Sequence, residues 1–534
     1  MVRFTHRLVC DDILRAVTLP VVCSARESAA ADASAIAAGI PSRALMQRAG
    51  AAAAAEIAAR FSGEMERGVV VVTGPGNNGG DGWVIARALR AVGIRVRVVE
   101  AAAAHTPDAM AERALAIEAG VPFDAELDAL IGASEPIFID ALLGTGLASS
   151  EPLRDHVTKA IAALMGHQQR GARIVAIDVP TGLDATTGAH AGAPRCALTL
   201  TFGTMKRGIT VARDICGDVV LLDIGLGIHA RNASTSRLAT PAWFRATLPL
   251  ISADAHKGTR RKLAIIGGAP GMVGAVILAA RAALRSGAGM VKCAVAPASL
   301  LALQEAEPPA LSTVWPSDDA SFEEQIASWA DTILIGPGLG RERAREIVER
   351  ALRVFSGPVV LDADALNAFA GDVDALGALI GRREALLTPH PAEFARLVER
   401  DVDDVLHERF DAPLVLASRI KATVLFKGVP TIVASPTGES TIVAEGTPIL
   451  ATGGSGDMLG GIAATLLAQT NDASLAGALA AFAHGRAATA VSMRQVRGYT
   501  LDDVLATLPQ VWSLAPPRAR PPVLAELPSV GERA

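Results

Sequence analysis

The sequence has few cysteines, and none stands where it could work with another: Cys10, Cys23, Cys196, Cys216 and Cys293 show neither a CxxC nor any paired spacing. That argues against a disulfide framework or a zinc site, points to a reducing compartment, and leaves each thiol to act as a small buried hydrophobe. Long runs of Lys or Arg are missing too, and the net charge is only -5, so neither nucleic acid nor an anionic membrane is the expected partner. The one long uncharged stretch, 263–280, is divided by Gly267, Gly268, Pro270 and Gly271 into strand, turn and helix, so no helix is expected to cross a bilayer. The opening MVRFTHRLVCDDILRAV meets Asp11 and Asp12 before any apolar core, unlike a secretory signal, and a cytoplasmic protein is expected. A G-x-x-x-x-G-K-[ST] motif is absent, which speaks against a P-loop kinase.

What is present is a chain of 534 residues, 50% hydrophobic and 20% charged, long for a single core. Short β-branched runs (GVVVVTG, IRVRVVE, IFIDALLGTG, RIVAIDVPTG) alternate with helix-length Ala/Leu/Arg segments, then resume after a weakly periodic stretch with RRKLAIIGG, TILIGPGLG, PVVLDADALNAF, ALLTPHPAEF and TVLFKGVPTIVA. This rhythm predicts parallel sheets covered by helices. It divides the chain into an α/β domain over 1–235, a second over 236–515, and a loose proline-rich tail over 516–534.

Two glycine-rich turns carry the chemistry. In VVVVTGPGNNGGDGW, Gly74, Gly76 and Gly79 form a G-x-G-x-x-G between strand and helix, with Glu100 closing the next strand, as a dinucleotide fingerprint would have it. Asn77, Asn78 and Asp81 do not suit a plain dehydrogenase turn. Backbone N–H groups at a helix start favour an anion, whereas amide and carboxylate oxygens favour a cation, so the turn could hold both. Asp140 in DALLGTGL and Asp178, Thr181 and Asp184 in DVPTGLD end further strands, where open parallel sheets place ligands; each could instead only cap the helix that follows.

These motifs, with GIPSRALMQRAG before and TFGTMKRG after, resemble the NAD(P)H-hydrate epimerase domain over about residues 25–228. The resemblance implies a Rossmann-like three-layer α/β/α fold. It implies that Asn77, Asn78, Gly79, Gly80 and Asp81, with Gly144, Thr145, Gly146 and Leu147, embrace the hydrated dinucleotide. It further implies that Asn78, Asp140 and Thr181 hold potassium and that Asp178 stands at the reacting ring.

The second turn, ATGGSGDMLGG, opens a helix with Gly453, Gly454 and Gly456, whose N–H groups suit a phosphoryl group in transfer, and it carries Asp457 as a candidate general base. His390 lies between two prolines at a strand end, and Lys427 follows the strand TVLF, where it could neutralise a phosphate or simply be solvated. With HKGTRRKLAIIGG, IGPGLG, VVLDADALNA, LTPHPAEFARL and FKGVPT, the stretch 256–470 resembles the ADP- or ATP-dependent NAD(P)H-hydrate dehydratases of the ribokinase-like fold. That resemblance implies a nucleotide on Lys427, Gly428, Val429, Pro430, Thr431 and Gly456. It also implies a hydrate pocket lined by Ala288, Gly338, His390 and Asp457. This chain reads GTPILATGG where the family tends to read GNPGMATGG, so Thr447 and Ile449 depart from the pattern.

Together the resemblances imply a bifunctional enzyme that epimerises the R and S hydrates of NADH and NADPH (NADHX and NADPHX) and dehydrates the S form. Its expected requirements are potassium, magnesium and ADP, or ATP, as phosphoryl donor, in a homo-oligomer. The alternative is a ribokinase-like small-molecule kinase fused to a non-catalytic Rossmann-like binding module.

Overall fold

The computed structural model describes residues 19–146, 153–190, 192–492, 497–515 and 518–530. Leu147 and Cys10 lie outside the described residues. Two compact units divide the chain at Ser236, and residues 518–530 belong with the N-terminal one.

In the N-terminal unit, helices α1 (Ala25–Ala37) and α2 (Ser42–Phe61) precede β1 (Val69–Thr73). Then come α3 (Asn77–Ala91), β2 (Val96–Glu100), β3 (Phe123–Asp124), β4 (Ile137–Ala141), β5 (Arg173–Ile177), β6 (Leu198–Phe202) and β7 (Asp218–Leu222). These strands pair in parallel in the order 3-2-1-4-5-6-7, so the sheet reverses direction between β1 and β4. The four valines of β1 are all fully or almost fully buried, as befits a strand covered on both faces.

The C-terminal unit contains β8 (Ser236–Leu238), β9 (Lys262–Ile266), α4 (Val273–Arg285), β10 (Met290–Val295), β11 (Leu311–Val314) and β12 (Thr332–Ile335). They are followed by α5 (Ala344–Val354), β13 (Val359–Leu361), α6 (Asp364–Asn367), β14 (Ala385–Leu387), α7 (Pro391–Val398) and β15 (Thr423–Phe426). The unit continues with β16 (Thr431–Ala434), β17 (Ser440–Val443), α8 (Ser455–Thr470) and α9 (Ala473–Ser492). The sheet order is 11-10-9-12-13-14-15-16-17-8, with β16 antiparallel to both neighbours and the direction of winding reversing between β9 and β12. Helix α8 packs a Gly/Ala/Leu surface against the sheet, with Met458, Ile462, Ala463 and Leu467 at 0% exposure.

The expectation of a loose tail needs correction. Residues Val523–Leu527 form β18, which pairs antiparallel with β7 and extends the N-terminal sheet. The cause is local alternation: Ala525 and Leu527 are buried while Leu524 and Glu526 face outward. Among the described residues no helix is long and apolar enough to cross a membrane, and Cys23, Cys196, Cys216 and Cys293 are buried free thiols.

Leu527 is 3% exposed, so Leu527→Ala is expected to cost the N-terminal unit about 2–3 kcal/mol. Calorimetry should show its Tm falling by roughly 5 °C; an unchanged Tm would mean that β18 does not support the sheet.

Candidate active sites

The first site forms where the N-terminal sheet reverses. The turn after β1 runs so close to the loop after β4 that a Cβ on Gly74 would lie 1.9 Å from the Leu142 carbonyl oxygen. Only glycine fits there. Asn77, Asn78 and Asp81 line a cavity of about 590 Å³ with Gly144, Thr145, Gly146 and Asp178. Gly79 and Gly80 do not line it: a Cβ on Gly79 would meet the Gly74 carbonyl at 2.0 Å, and one on Gly80 would meet Met46 Cε at 2.6 Å. They let α3 pack closely.

Beneath the cavity Asp140, at 0% exposure, is held by the Thr181 backbone N–H (2.9 Å), the Thr181 hydroxyl (2.7 Å) and the Leu142 N–H (3.2 Å). Burial still pushes its carboxyl above the usual carboxylate range. Asn78 is 8% exposed, and both its Oδ1 and its Nδ2 are buried with no hydrogen-bond partner. An amide so placed is costly unless something in the site completes it.

Asp178 follows β5 with φ 67°, a left-handed conformation that a non-glycine residue adopts at the cost of strain. That conformation belongs to a residue ion-paired with the buried Lys206, whose Nζ lies 2.6 Å from Asp178 Oδ1 and also donates to the Phe202 carbonyl at 2.9 Å. Thr201 adds a hydroxyl donor to the same carboxylate oxygen at 3.3 Å. Asp32 on α1 also lines the cavity, with Asp108 and Arg154. Burial first, and then the neighbouring carboxylates Asp178 and Asp32, push Asp81 well above its ordinary range, with Lys206 opposing.

Lys206 lay within the recognised stretch TFGTMKRG without a role, whereas Asp32 had no local signal at all. Glu100 is engaged bidentately by Arg113 at 2.7 and 2.9 Å, which ties up the carboxylate that a dinucleotide fingerprint would offer to a ribose. Asp184 accepts the N–H groups of Thr186 and Thr187 and so caps a turn.

The second site lies at the C-terminal ends of β13, β14 and β15. Lys427 Nζ donates to Asp362 Oδ1 at 2.6 Å, and the Thr388 hydroxyl donates to the same oxygen at 2.8 Å. Asp362 is 1% exposed, so the lysine compensates a buried charge. The expected phosphate-facing lysine is therefore already paired. Gly456 lies against it: a Cβ there would be 3.1 Å from Lys427 Nζ.

Asp457, in the first turn of α8, is pushed up to about 7, first by burial and next by the charge of Asp362, with Lys427 opposing. His390 serves as the N-cap of α7: its Nδ1 accepts from the Ala392 and Glu393 N–H groups at 3.1 and 3.3 Å, and Glu393 Oε2 returns a bond to the His390 N–H. Burial, followed by Lys427 and Arg396, lowers its pKa. Behind the turn, His484 is driven down to about 4 by burial and its Nε2 lies 3.4 Å from the Ser455 hydroxyl.

Gly338 interlocks with the turn after β9, accepting the Ala269 N–H at 2.7 Å. Ala288 is not brought to this group. It precedes β10, whose Met290 pairs with Lys262 at the N-terminal edge of the parallel sheet, the opposite edge from Gly338, His390 and Asp457. The alanine beside Gly338 is Ala275, whose Cβ would lie 3.2 Å from a Cβ built on that glycine. Gly428, Val429 and Pro430 form the turn from β15 to β16, which Thr431 begins, next to Lys427. Of the two departures, Ile449 is buried, and the Thr447 hydroxyl is buried without a partner.

Two α/β units, each with a glycine turn, a lysine-compensated aspartate and unsatisfied or raised polar groups where parallel strands end, have the character of an enzyme with small-molecule sites at its strand ends. Residues 263–510 match the NAD(P)H-hydrate dehydratase family model, and 42–208 match the model described as YjeF-related protein N-terminus. The bifunctional NAD(P)H-hydrate repair enzyme of Salinibacter ruber is 37% identical over 89% of this chain and 92% of its own length. That of Escherichia coli is 35% identical over 83% and 84%. An ADP/ATP-dependent NAD(P)H-hydrate dehydratase from Bacillus subtilis, crystallised with ATP and magnesium, is 28% identical with a TM-score of 0.45, covering 51% of this chain and 96% of that one. The chain belongs to the family of bifunctional NAD(P)H-hydrate repair enzymes, with an epimerase half and a dehydratase half.

Removing Lys427 strands Asp362. Lys427→Met is expected to destabilise the C-terminal unit by about 3 kcal/mol in urea unfolding. Lys427→Met combined with Asp362→Leu should recover most of that loss, and a double variant as unstable as the single would contradict a compensating role.

Proposed function

We propose that the C-terminal unit dehydrates the S hydrate of NADH or NADPH with ADP as phosphoryl donor, and that Asp457 is its general base. The supporting observation is the environment of Asp457: a carboxyl near 7 in the first turn of α8, beside the bare backbone of Gly456 and the Lys427–Asp362 pair. A base with that affinity accepts a proton at neutral pH and still exists largely ionised just above it. Asp457 removes the proton of the ring hydroxyl as its oxygen attacks the β-phosphorus of ADP, releasing AMP. Phosphate then leaves the same carbon while a proton leaves the adjacent ring carbon, and the double bond returns.

N–H groups at the start of α8 stabilise the phosphoryl charge, with Gly428 to Thr431 alongside the nucleotide. Magnesium bound with the nucleotide would supply further charge neutralisation. Gly338 and His390 border the hydrate, and Ala275 is a better neighbour for it than Ala288 on geometric grounds.

In the N-terminal unit, Asp178 assists proton transfer at the hydroxyl-bearing carbon of the hydrate, held there by Lys206 and Thr201. Asn77, Asn78, Asp81 and the loop from Gly144 to Gly146 surround the dinucleotide. The orphaned Asn78 amide oxygen, with Asp140 and the Thr181 hydroxyl, fits a large monovalent cation held by oxygen ligands. Potassium bound there would supply positive charge beside the substrate's phosphates.

Asp457→Ala should abolish the ADP-dependent return of reduced-nicotinamide absorbance while hydrate binding persists. In the unaltered protein the kcat/KM profile should fall on the acid side of about pH 7, since protonation removes the base. Full turnover by the variant, or a flat profile down to pH 5, would refute the assignment. For the first unit, potassium is expected to raise the Tm by a few degrees over sodium, and Asn78→Ala to remove that rise. Asp178→Asn should stop epimer interconversion; interconversion at the original rate would exclude its proton-transfer role.

A further inference from the structure

Most arginines between 343 and 419 are partnered: Arg343 and Arg350 with Glu346, Arg345 with Glu349 and Asp372, Arg353 with Asp319, and Arg419 with Asp374. The guanidinium groups of Arg341 and Arg396 make no hydrogen bond or ion pair among the described residues, and both side chains border one cavity of about 230 Å³. Asp364 and Asn367 complete its polar lining. Asn367 Oδ1 is buried with no partner, while Asp364 Oδ2 accepts the Gly340 N–H at 2.9 Å. Two guanidinium groups against one carboxylate leave the cavity with a net positive charge.

Its place in the fold matters as much as its content. Arg341 ends the turn after β12, Asp364 and Asn367 lie on α6 after β13, and Arg396 lies on α7 after β14. These are three adjacent parallel strands, and the turn and helix are those that carry Gly338 and His390. The charge of Arg396 acts on both His390 and Glu393, so the cavity adjoins the dehydratase site electrostatically.

We propose that this cavity binds a phosphorylated ribose, as an extension of the hydrate site; the assignment rests on the placement of the hydrate beside Gly338 and His390. Unpaired guanidinium groups grip phosphate oxygens through charge-assisted hydrogen bonds. The remaining oxygen of Asp364 accepts from a sugar hydroxyl. An acidic residue on the ribose and an arginine on its 2′-phosphate is the division of labour by which dinucleotide sites distinguish NADP from NAD. At 230 Å³ the cavity is smaller than the roughly 300–1,000 Å³ of a complete ligand site, so it receives one part of a larger molecule. The phosphorylated ribose is either the 2′-phosphate end of NADPH hydrate or the sugar phosphate of the donor ADP.

The test compares the full chain with its Arg341→Ala/Arg396→Ala variant, by calorimetric titration with 2′,5′-ADP and with 5′-ADP and by kinetics on both hydrates. For a NADPH-hydrate subsite, the variant binds 2′,5′-ADP about tenfold more weakly. Its KM for NADPH hydrate rises similarly, with kcat, 5′-ADP affinity and KM for NADH hydrate unchanged. Arg341→Lys/Arg396→Lys should retain part of the binding. Weakened 5′-ADP binding instead would assign the cavity to the donor and overturn its link to the hydrate, and unchanged binding of both would overturn the site. Because 2′,5′-ADP binding needs no turnover, it remains informative if the dehydration mechanism proves wrong.

Discussion

Both sites depend on one interaction, an aspartate held by a lysine where water is largely excluded. In the N-terminal unit Lys206 answers Asp178, and in the C-terminal unit Lys427 answers Asp362, each across 2.6 Å. Two such charges exact a desolvation cost that attraction alone seldom outweighs, and their more evident contribution is to fix geometry. Each pair stands beside a turn of bare backbone. Each also has a second carboxyl nearby, Asp81 or Asp457, that burial and like charge push above the ordinary carboxylate range, Asp457 to about 7.

Parallel topology is what brings these groups together. Strand C-termini on one edge of a sheet deliver side chains from distant segments to one place, and a reversal of winding opens a crevice between neighbouring strands. The epimerase cavity opens at the β1/β4 reversal, and the turn after β9 locks onto the Gly336–Gly340 turn at the β9/β12 reversal. Two residues at strand ends beside these sites, Asp178 after β5 and Ala363 after β13, have positive φ.

Much of this was legible in the sequence because turn chemistry is local. Gly74, Asn78, Asp140, Asp178 and Asp457 announce themselves through residue type at a strand end, and alternating strand and helix patterns gave both α/β units. What could not be read was partnership across the fold. Lys427 looks like a free phosphate ligand until Asp362 is found 65 positions away in the chain at hydrogen-bond distance. Asp32 reaches the cavity from a helix with no motif of its own. Ala275 lies in the first turn of α4 and Ala288 just beyond its end, and only strand direction tells which edge each occupies. The terminal strand was hidden by the prolines before it, whose composition outweighed a five-residue alternation.

The central claim, that one chain joins an epimerase to an ADP-driven dehydratase, is tested most directly by a progress curve at the reduced-nicotinamide wavelength. The curve starts from an equilibrated R and S mixture of NADPH hydrate with the full chain, magnesium, potassium and ADP. The account predicts recovery of the whole pool, with a late phase that accelerates as enzyme is added. A curve that stops at the S fraction, or whose late phase ignores enzyme concentration, would contradict it.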